Sequence, residues 1–338
     1  MTVGLVSTIL IIPYFERFFT NIEISGIDQQ KKSKPRIPSA GGMPVALGFF
    51  LAMMTFVWAN VFILKSKVDL VMLLASTLSC FTIAMIGFFD DIYIRKVKKV
   101  NASDSIEYRV GLKQWMKPLL TLLGAVPLMA VEAGRTMVNV PIVGTLQVGI
   151  IYPLIIVPLA VIFVSNATNM LAGYNGLEAS MTFVVLLGIT FWSFFRGNPI
   201  GGYVGLIGLT VIFAFYLFNK YPARILPGDS FTYFAGALIV TSTILGGVEK
   251  FAAIAFLPWI VEFFLKLRGR FKVRSYGNLR EDGSIQAPYD EIYSLPHAVI
   301  FLFEKLGIRL KEYQITNILV LIEFLVLILA GLLTFVSI

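Results

Sequence analysis

The sequence predicts an all-α polytopic membrane protein of about ten transmembrane helices, and three observations carry that prediction. First, 57% of the 338 residues are hydrophobic and 14% charged, where soluble domains run at about 25% charged, and the mean hydropathy is +0.82. Second, apolar runs recur along the whole chain, at 3–19, 41–63, 70–89, 114–132, 148–165, 178–195, 201–218, 230–247, 251–267 and 316–337. About 17 to 25 such residues cross a hydrocarbon core of roughly 30 Å. Third, the connections after odd-numbered runs carry 20 Lys or Arg, and those after even-numbered runs carry 5. Positive charge marks the cytoplasmic side.

The first run has neither a basic leading segment nor a small-residue cleavage site, so it reads as a span and not as a removable signal. Ten spans then put both termini outside and the odd connections in the cytoplasm. Residues 1–338 form a single integral membrane domain. Its one sizeable appendage is 268–315, a small cytoplasmic loop subdomain between helices 9 and 10. The lone cysteine, Cys80, lies inside an apolar run, which excludes an internal disulfide and a cysteine-based metal site. A net charge of +8 fits the topological bias and anionic lipid headgroups, and fits a phosphate-rich substrate equally well. Nothing points to nucleic acid.

Each cytoplasmic connection holds a compact polar motif. In "GIDQQKKSKPRIPSAGGMP", 26–44, four cations surround Asp28, and prolines with a glycine pair keep the chain out of helix until Met43. In "GFFDDIYIRKVKK", Asp90 and Asp91 end the third apolar run. Carboxylates leaving a membrane helix must be paired or metal-bound, and helical neighbours point about 100° apart, so the two divide their roles. Pairing with Arg95, Lys96, Lys98 or Lys99 is the alternative.

The stretch "NATNMLAGYNGLE", 166–178, sets three asparagines between two apolar runs. Gly173 and Gly176 bracket Asn175 and predict a break in the helix, tolerated at membrane depth only where backbone lines a cavity or is buried in protein. Amide oxygens can ligate a hard cation or bond between helices. Asn166-Ala-Thr and Asn101-Ala-Ser match a glycan acceptor pattern, but both fall on the cytoplasmic face. In "NKYPARILPGDS", 219–230, Asp229 follows Gly228 just before an apolar run, as a helix cap or a metal ligand.

In "KLRGRFKVR", Lys266, Arg268, Arg270, Lys272 and Arg274 alternate with other residues. An extended chain would project them to one face, where guanidinium groups grip phosphate oxygens. A juxtamembrane basic strip on anionic lipid is the competing reading. Beyond it, the turn signal Asp282-Gly283 predicts short strands or a hairpin, followed by an amphipathic helix around His297 to Leu310. His297, the sole histidine, reads as packing.

Carboxylates with Mg²⁺, Arg and Lys are the apparatus of phosphoryl transfer, which works by positioning and charge neutralisation. In this order on alternate loops, "KPRIPSAGG", "GFFDD", "NMLAGYNGLE", "YPARILPGDS" and "RGR" resemble the polyprenyl-phosphate N-acetylhexosamine-1-phosphate transferases. That family includes the bacterial phospho-MurNAc-pentapeptide translocase and the eukaryotic dolichyl-phosphate GlcNAc-phosphotransferase. The resemblance covers nearly the whole chain and implies a ten-span fold with a cytoplasmic active site. It also implies transfer of a sugar 1-phosphate from a UDP-sugar to a polyprenyl or dolichyl phosphate, with release of UMP and a need for Mg²⁺, Mn²⁺ being an alternative.

By motif, the resemblance assigns Asn169 and Asp229 to the metal. It gives Asn175 and the neighbourhood of Asp28 and Gln29 to the nucleotide sugar, and Arg268, Gly269 and Arg270 to the diphosphate. Asp90 and Asp91 become the aspartate pair, one of which orients or deprotonates the lipid phosphate. A lysine following the pair binds the acceptor phosphate in relatives. Lys113 is the expected one here, with Lys117 one helical turn away as its rival. Bacterial members carry a His-rich motif where this chain has Arg268-Gly269-Arg270, and Ser39 replaces a glutamate of the eukaryotic first loop. These departures favour an archaeal or eukaryotic-like member acting on UDP-GlcNAc and dolichyl phosphate, in a prokaryotic plasma membrane or the ER membrane. The product would enter glycan assembly, N-glycan assembly in the eukaryotic type. A homodimer is compatible with the sequence. The competing function class is a transporter or flippase for a phosphorylated substrate, which would show repeat symmetry between halves; no convincing repeat is visible.

Overall fold

The computed structural model describes residues 1–93, 95–101, 104–134, 137–140 and 144–336, with only the backbone described at 95–101, 104–110, 137–140 and 144–146. Helix α1 (Thr2–Asn21) is followed by the paired strands β1 (Ser25–Ile27) and β2 (Arg36–Pro38) and by α2 (Gly42–Ala59), which continues as a π-helical turn to Leu64. Then come α3 (Leu70–Ile92), the hairpin β3 (Arg95–Asn101) and β4 (Asp104–Val110), and α4 (Met116–Ala130). The hairpin β5 (Met137–Val140) and β6 (Gly144–Gln147) leads through a π-helical stretch, Tyr152–Ile156, into α5 (Val157–Thr168). Helices α6 (Leu177–Phe195), α7 (Pro199–Asn219) and α8 (Gly228–Gly246) follow. The chain ends with α9 (Glu249–Ala255), α10 (Leu257–Arg268), the hairpin β7 (Asn278–Leu279) and β8 (Ile285–Gln286), α11 (Leu295–Lys305) and α12 (Glu312–Phe335).

Every predicted apolar run is helical, and among the described residues strands occur only in connections, so the chain is a polytopic helical membrane protein. Among the described residues six helices, α1, α2 with its π extension, α3, α6, α7 and α12, are long and apolar enough to cross a membrane, and α4 and the Tyr152–Thr168 segment are shorter apolar helices. The ninth run is not one helix: it breaks at Phe256, between α9 and α10. Local chemistry sets several starts. The Asp69 carboxylate accepts the Met72 N–H at 3.0 Å and caps α3, Pro199 opens α7, and the Ser294 hydroxyl caps α11. The two hairpins at 95–110 and 137–147 were not foreseen, although "SIEYRV", 105–110, alternates polar and apolar residues as a strand does. The side chains of Arg95, Lys96, Lys98 and Lys99, and residues Ala102 and Ser103 of the Asn101 motif, lie outside the described residues.

Helix α8 is the axis of the bundle. It packs against α2, α3, α5, α6 and α7, and nearly all its residues are buried, including Thr232, Thr241 and Ser242. The contact with α3 is close because Gly87 has no side chain: a Cβ there would lie 2.4 Å from the Asp229 carbonyl oxygen. By contrast, α1 and α12 are only 22% buried over their apolar windows, so they line the outside. The first turn of α8, where Asp229 stands, is therefore reached by the ends of several helices at once.

Candidate functional site

Asp90 and Asp91, the last acidic residues of α3, diverge as helical neighbours must. Asp91 faces α8: its Oδ1 accepts the Asp229 N–H at 2.8 Å and its Oδ2 accepts the Ser230 N–H at 3.0 Å. Two of the orphan amides of the α8 N-terminus are thus satisfied by a side chain from another helix. Gly228, at φ 68°, makes room for it, since a Cβ there would lie 2.5 Å from Asp91 Oδ2. Asp90 faces α4. Its Oδ1 accepts the Leu112 N–H at 2.5 Å, and its Oδ2 pairs with Lys117 Nζ at 2.5 Å. The same ammonium reaches Asp229 Oδ2 at 2.7 Å. With all four groups ionised, Asp90, Asp91, Asp229 and Lys117 sum to two negative charges.

Asp91 and Asp229 form one wall of a cavity of about 430 Å³, which also receives Asp28 and Gln29 from the first connection, Asn169, Gly173, Tyr174 and Asn175 from the third, and Ser275 and Tyr276 from the last. The break between α5 and α6 shapes its floor. Gly173, at φ 110°, and Gly176, at φ 79°, turn the chain, and the Gly173 N–H donates to Glu178 Oε1 at 2.8 Å. Asn169 Oδ1 accepts the Thr232 hydroxyl at 3.0 Å. Asn175 is buried and knits three segments: Oδ1 accepts the Ala223 N–H at 2.7 Å, Nδ2 approaches Asp28 Oδ2 at 3.4 Å, and its own N–H donates to Glu312 Oε1 at 2.8 Å. Lys31 pairs with Glu312 and, at 3.3 Å, with Asp28. The Tyr174 hydroxyl meets the Gly277 N–H at 3.2 Å; burial holds this phenol well above the ordinary range, so it acts as a neutral partner.

A polar cavity of this size at one end of a helical bundle, edged by three aspartates and a lysine, has clear relatives. A profile of the family described as Glycosyl transferase family 4 matches residues 71–247. This chain belongs to that family. The match runs from α3 to the end of α8 and so contains Asp90, Asp91, Lys117, Asn169, Asn175 and Asp229. A protein of Saccharolobus solfataricus, provisionally named a UDP-N-acetylglucosamine--dolichyl-phosphate N-acetylglucosaminephosphotransferase, is 35% identical over 87% of this chain and 83% of its own. The Schizosaccharomyces pombe protein bearing that name without qualification is 25% identical over 91% of this chain and 78% of its own. A phospho-N-acetylmuramoyl-pentapeptide-transferase of Chlorobium chlorochromatii is 25% identical over 70% of this chain and 65% of its own. This family member is accordingly an integral membrane enzyme of the transferase class.

Within the glycosyl transferase family 4 fold, the expected site residues divide. Asp28, Gln29, Asn169, Asn175, Asp91 and Asp229 line one cavity, and Asp90 and Lys117 adjoin it through Asp229. Lys113 does not join them. It is exposed in the turn before α4, and Lys117, the rival, holds the position between the two carboxylates. Arg268, Gly269 and Arg270 do not line the cavity either. The expectation of an extended basic strip is corrected: α10 stays helical through Arg268, so Lys266 and Arg268 diverge around a helix. Arg268 Nη2 pairs at the surface with Glu291 at 2.7 Å. Asn166 donates to Thr121 Oγ1 and the Ile162 carbonyl, a bond between helices. Asp229 does not cap its own helix, since Asp91 does.

Sequence reasoning missed Tyr174, Tyr276, Glu178, Lys31 and Glu312. Glu178, the first residue of the run 178–195, carried a signal: an acid at the start of a membrane helix needs a partner. Tyr276 carried none. Among the described residues no three His, Cys, Asp or Glu side chains gather as a metal cage. Mg²⁺ asks for less, being held by one or two carboxylates together with substrate phosphates. Asn169 and Asp229 fit that demand, because both offer oxygen ligands to the cavity beside a cluster of net negative charge.

Proposed function

We propose that this protein transfers N-acetylglucosamine 1-phosphate from UDP-GlcNAc to a polyprenyl phosphate, dolichyl phosphate in the archaeal and eukaryotic manner. UMP is released and GlcNAc-PP-polyprenol formed. The observation that carries the reading is the cavity joining Asp28, Asn169, Asn175 and Asp229 from separate connections, in a chain whose relatives bear that activity in their names. An oxygen of the lipid phosphate attacks the β-phosphorus of UDP-GlcNAc, and the bond from that phosphorus to the bridging oxygen breaks. UMP takes the electron pair, and the sugar C1–O bond survives with its configuration.

Asn169 and Asp229 would hold Mg²⁺, which when bound neutralises the diphosphate. Asp91 is a positioning residue that aims Asp229 through its amide. Lys117 holds the acceptor phosphate, and Asp90 orients Lys117. The Asp28 and Asn175 neighbourhood receives the nucleotide sugar. Arg268 and Arg270 keep a diphosphate role by resemblance alone; a raised KM for UDP-GlcNAc in Arg270→Ala supports it, and an unchanged KM removes it. The excess of Lys and Arg on odd connections supports ten spans and a cytoplasmic site.

The test is purified protein with UDP-GlcNAc, a polyprenyl phosphate and Mg²⁺. UMP release that is lost in Asp229→Ala and lowered in Asn169→Ala is expected. No release, or release indifferent to both substitutions, overturns the reading.

A further inference from the structure

Asn175 lines two cavities, and the second, of about 320 Å³, opens at the same end of the bundle between α7 and α12. Its size falls in the range of roughly 300 to 1,000 Å³ typical of small-molecule sites. The floor is the buried backbone turn at Gly176, whose missing Cβ would approach both Tyr216 and the Lys220 backbone at 3.3 Å. Tyr221 and Tyr313 form a wall, their rings 5.7 Å apart. Lys31 sits over the Tyr221 ring at 4.0 Å and steadies it.

The polar lining offers donors: the Lys220 ammonium, the Asn317 amide and the tyrosine hydroxyls. Among the described residues no carboxylate lines this cavity. The nearest acid along α12, Glu312, is spent, with one oxygen on the Asn175 N–H and the other on Lys31. Among the described residues, the side chains of Lys220 and Asn317 have neither ion pair nor hydrogen bond. An unneutralised cation beside free N–H and O–H donors in a concave site selects an anion with several acceptor oxygens.

We propose that this second cavity binds a phosphate group, with Lys220 supplying charge and Asn317 and the tyrosines supplying hydrogen bonds. Its place at the membrane end of α7, among tyrosines of the kind that sit at headgroup level, admits two sources: the headgroup of an anionic phosphoglyceride, or a soluble phosphate.

The test is amine-reactive labelling of the full-length protein, read residue by residue in the mass spectrometer, and it involves no turnover. Lys272, which is likewise exposed, serves as the internal control. Three conditions are compared: vesicles of phosphatidylcholine alone, phosphatidylcholine with phosphatidylglycerol, and neutral detergent with inorganic phosphate. Lys220 labelling is expected to slow on the order of tenfold when the ligand stands at about ten times its Kd, while Lys272 is unchanged. Protection by phosphatidylglycerol alone assigns the lipid source, and protection by inorganic phosphate as well assigns a soluble one. Asn317→Leu, at an exposed position, is expected to abolish the protection. No protection in any condition, equal protection of both lysines, or full protection retained in Asn317→Leu overturns the proposal.

Discussion

Asp91 and Asp229 are joined by a hydrogen bond from the Asp229 backbone N–H to Asp91 Oδ1, at 2.8 Å. One member of the aspartate pair that ends α3 is thereby committed to the N-terminus of α8, and the acid that α8 presents to the cavity is held by its own main chain. Asp91→Ala leaves two amides of a buried helix end without an acceptor, at a cost of roughly 1–3 kcal/mol each where no water replaces it. A lowered unfolding temperature together with a lowered rate of UMP release is expected. Asp91→Asn keeps one acceptor oxygen and is expected to fall between the two. An Asp91→Ala protein as stable as the parent would dissolve the link between the cap and the site.

Lys117 and Lys113 give a clean contrast, since Lys117 touches Asp90 and Asp229 and Lys113 is exposed. Removing a preorganised charge from a catalytic site costs about 10²–10³ in kcat, and Lys117→Ala is expected to show a loss of that size. Lys113→Ala is expected to stay within about 0.5 kcal/mol, as surface substitutions do. Steady-state kinetics with saturating UDP-GlcNAc separates them, and the opposite order would restore Lys113 to the role the sequence first assigned it.

Gly228 answers to two constraints at once. Its φ of 68° is strained for any residue with a Cβ, and that Cβ would lie 2.5 Å from Asp91 Oδ2 and 2.8 Å from the Ala40 backbone. Gly228→Ala is expected to destabilise by at least about 1–2 kcal/mol from the backbone conformation alone and to displace the Asp91 cap. Thermal unfolding and turnover should fall together. Gly283→Ala, where φ is 81° but nothing lies within 4 Å, controls for backbone strain and should leave turnover intact.

His297, at 1% exposure in α11, has its pKa lowered from 6.5 to about 4, by burial first and by Lys266 second. Between those values the unfolded chain binds a proton that the folded chain refuses, so stability rises with pH across this window. It is expected to be lost progressively as pH falls from 6.5 toward 4. Unfolding temperatures measured across pH 4–7 should show a shallower acid slope in His297→Gln than in the parent. Identical slopes would remove the histidine from the acid sensitivity.

Much of this molecule was legible in the chain. The ten apolar runs became helices, the ninth as two, because a helix satisfies its backbone polar groups within one segment, as hydrocarbon requires. The interruption around Asn175 was readable from Gly173 and Gly176, and Asp90, Asp91, Asn169 and Asp229 from the expense of polar groups at membrane depth. The choice between Lys113 and Lys117 was not, because both follow the aspartate pair within a turn of each other and only the direction of α4 separates them. Nor was the fate of Arg268: alternation of charges looks the same in a strand as at the end of a helix, and α10 runs on through it.

By itself, then, the sequence determined that this is a membrane-embedded helical protein whose polar motifs gather on alternate connections, since hydropathy and charge are local properties of each segment. Tertiary structure alone decided which motifs meet. Asp91 could be recognised as a capping group only once α3 lay against α8, and Lys117 as the bridge between Asp90 and Asp229 only once α4 had closed on both. Lys31, Glu178 and Tyr276 entered the site through contacts made by the packed connections, and contact between groups far apart in the chain is a property of packing that no local pattern carries.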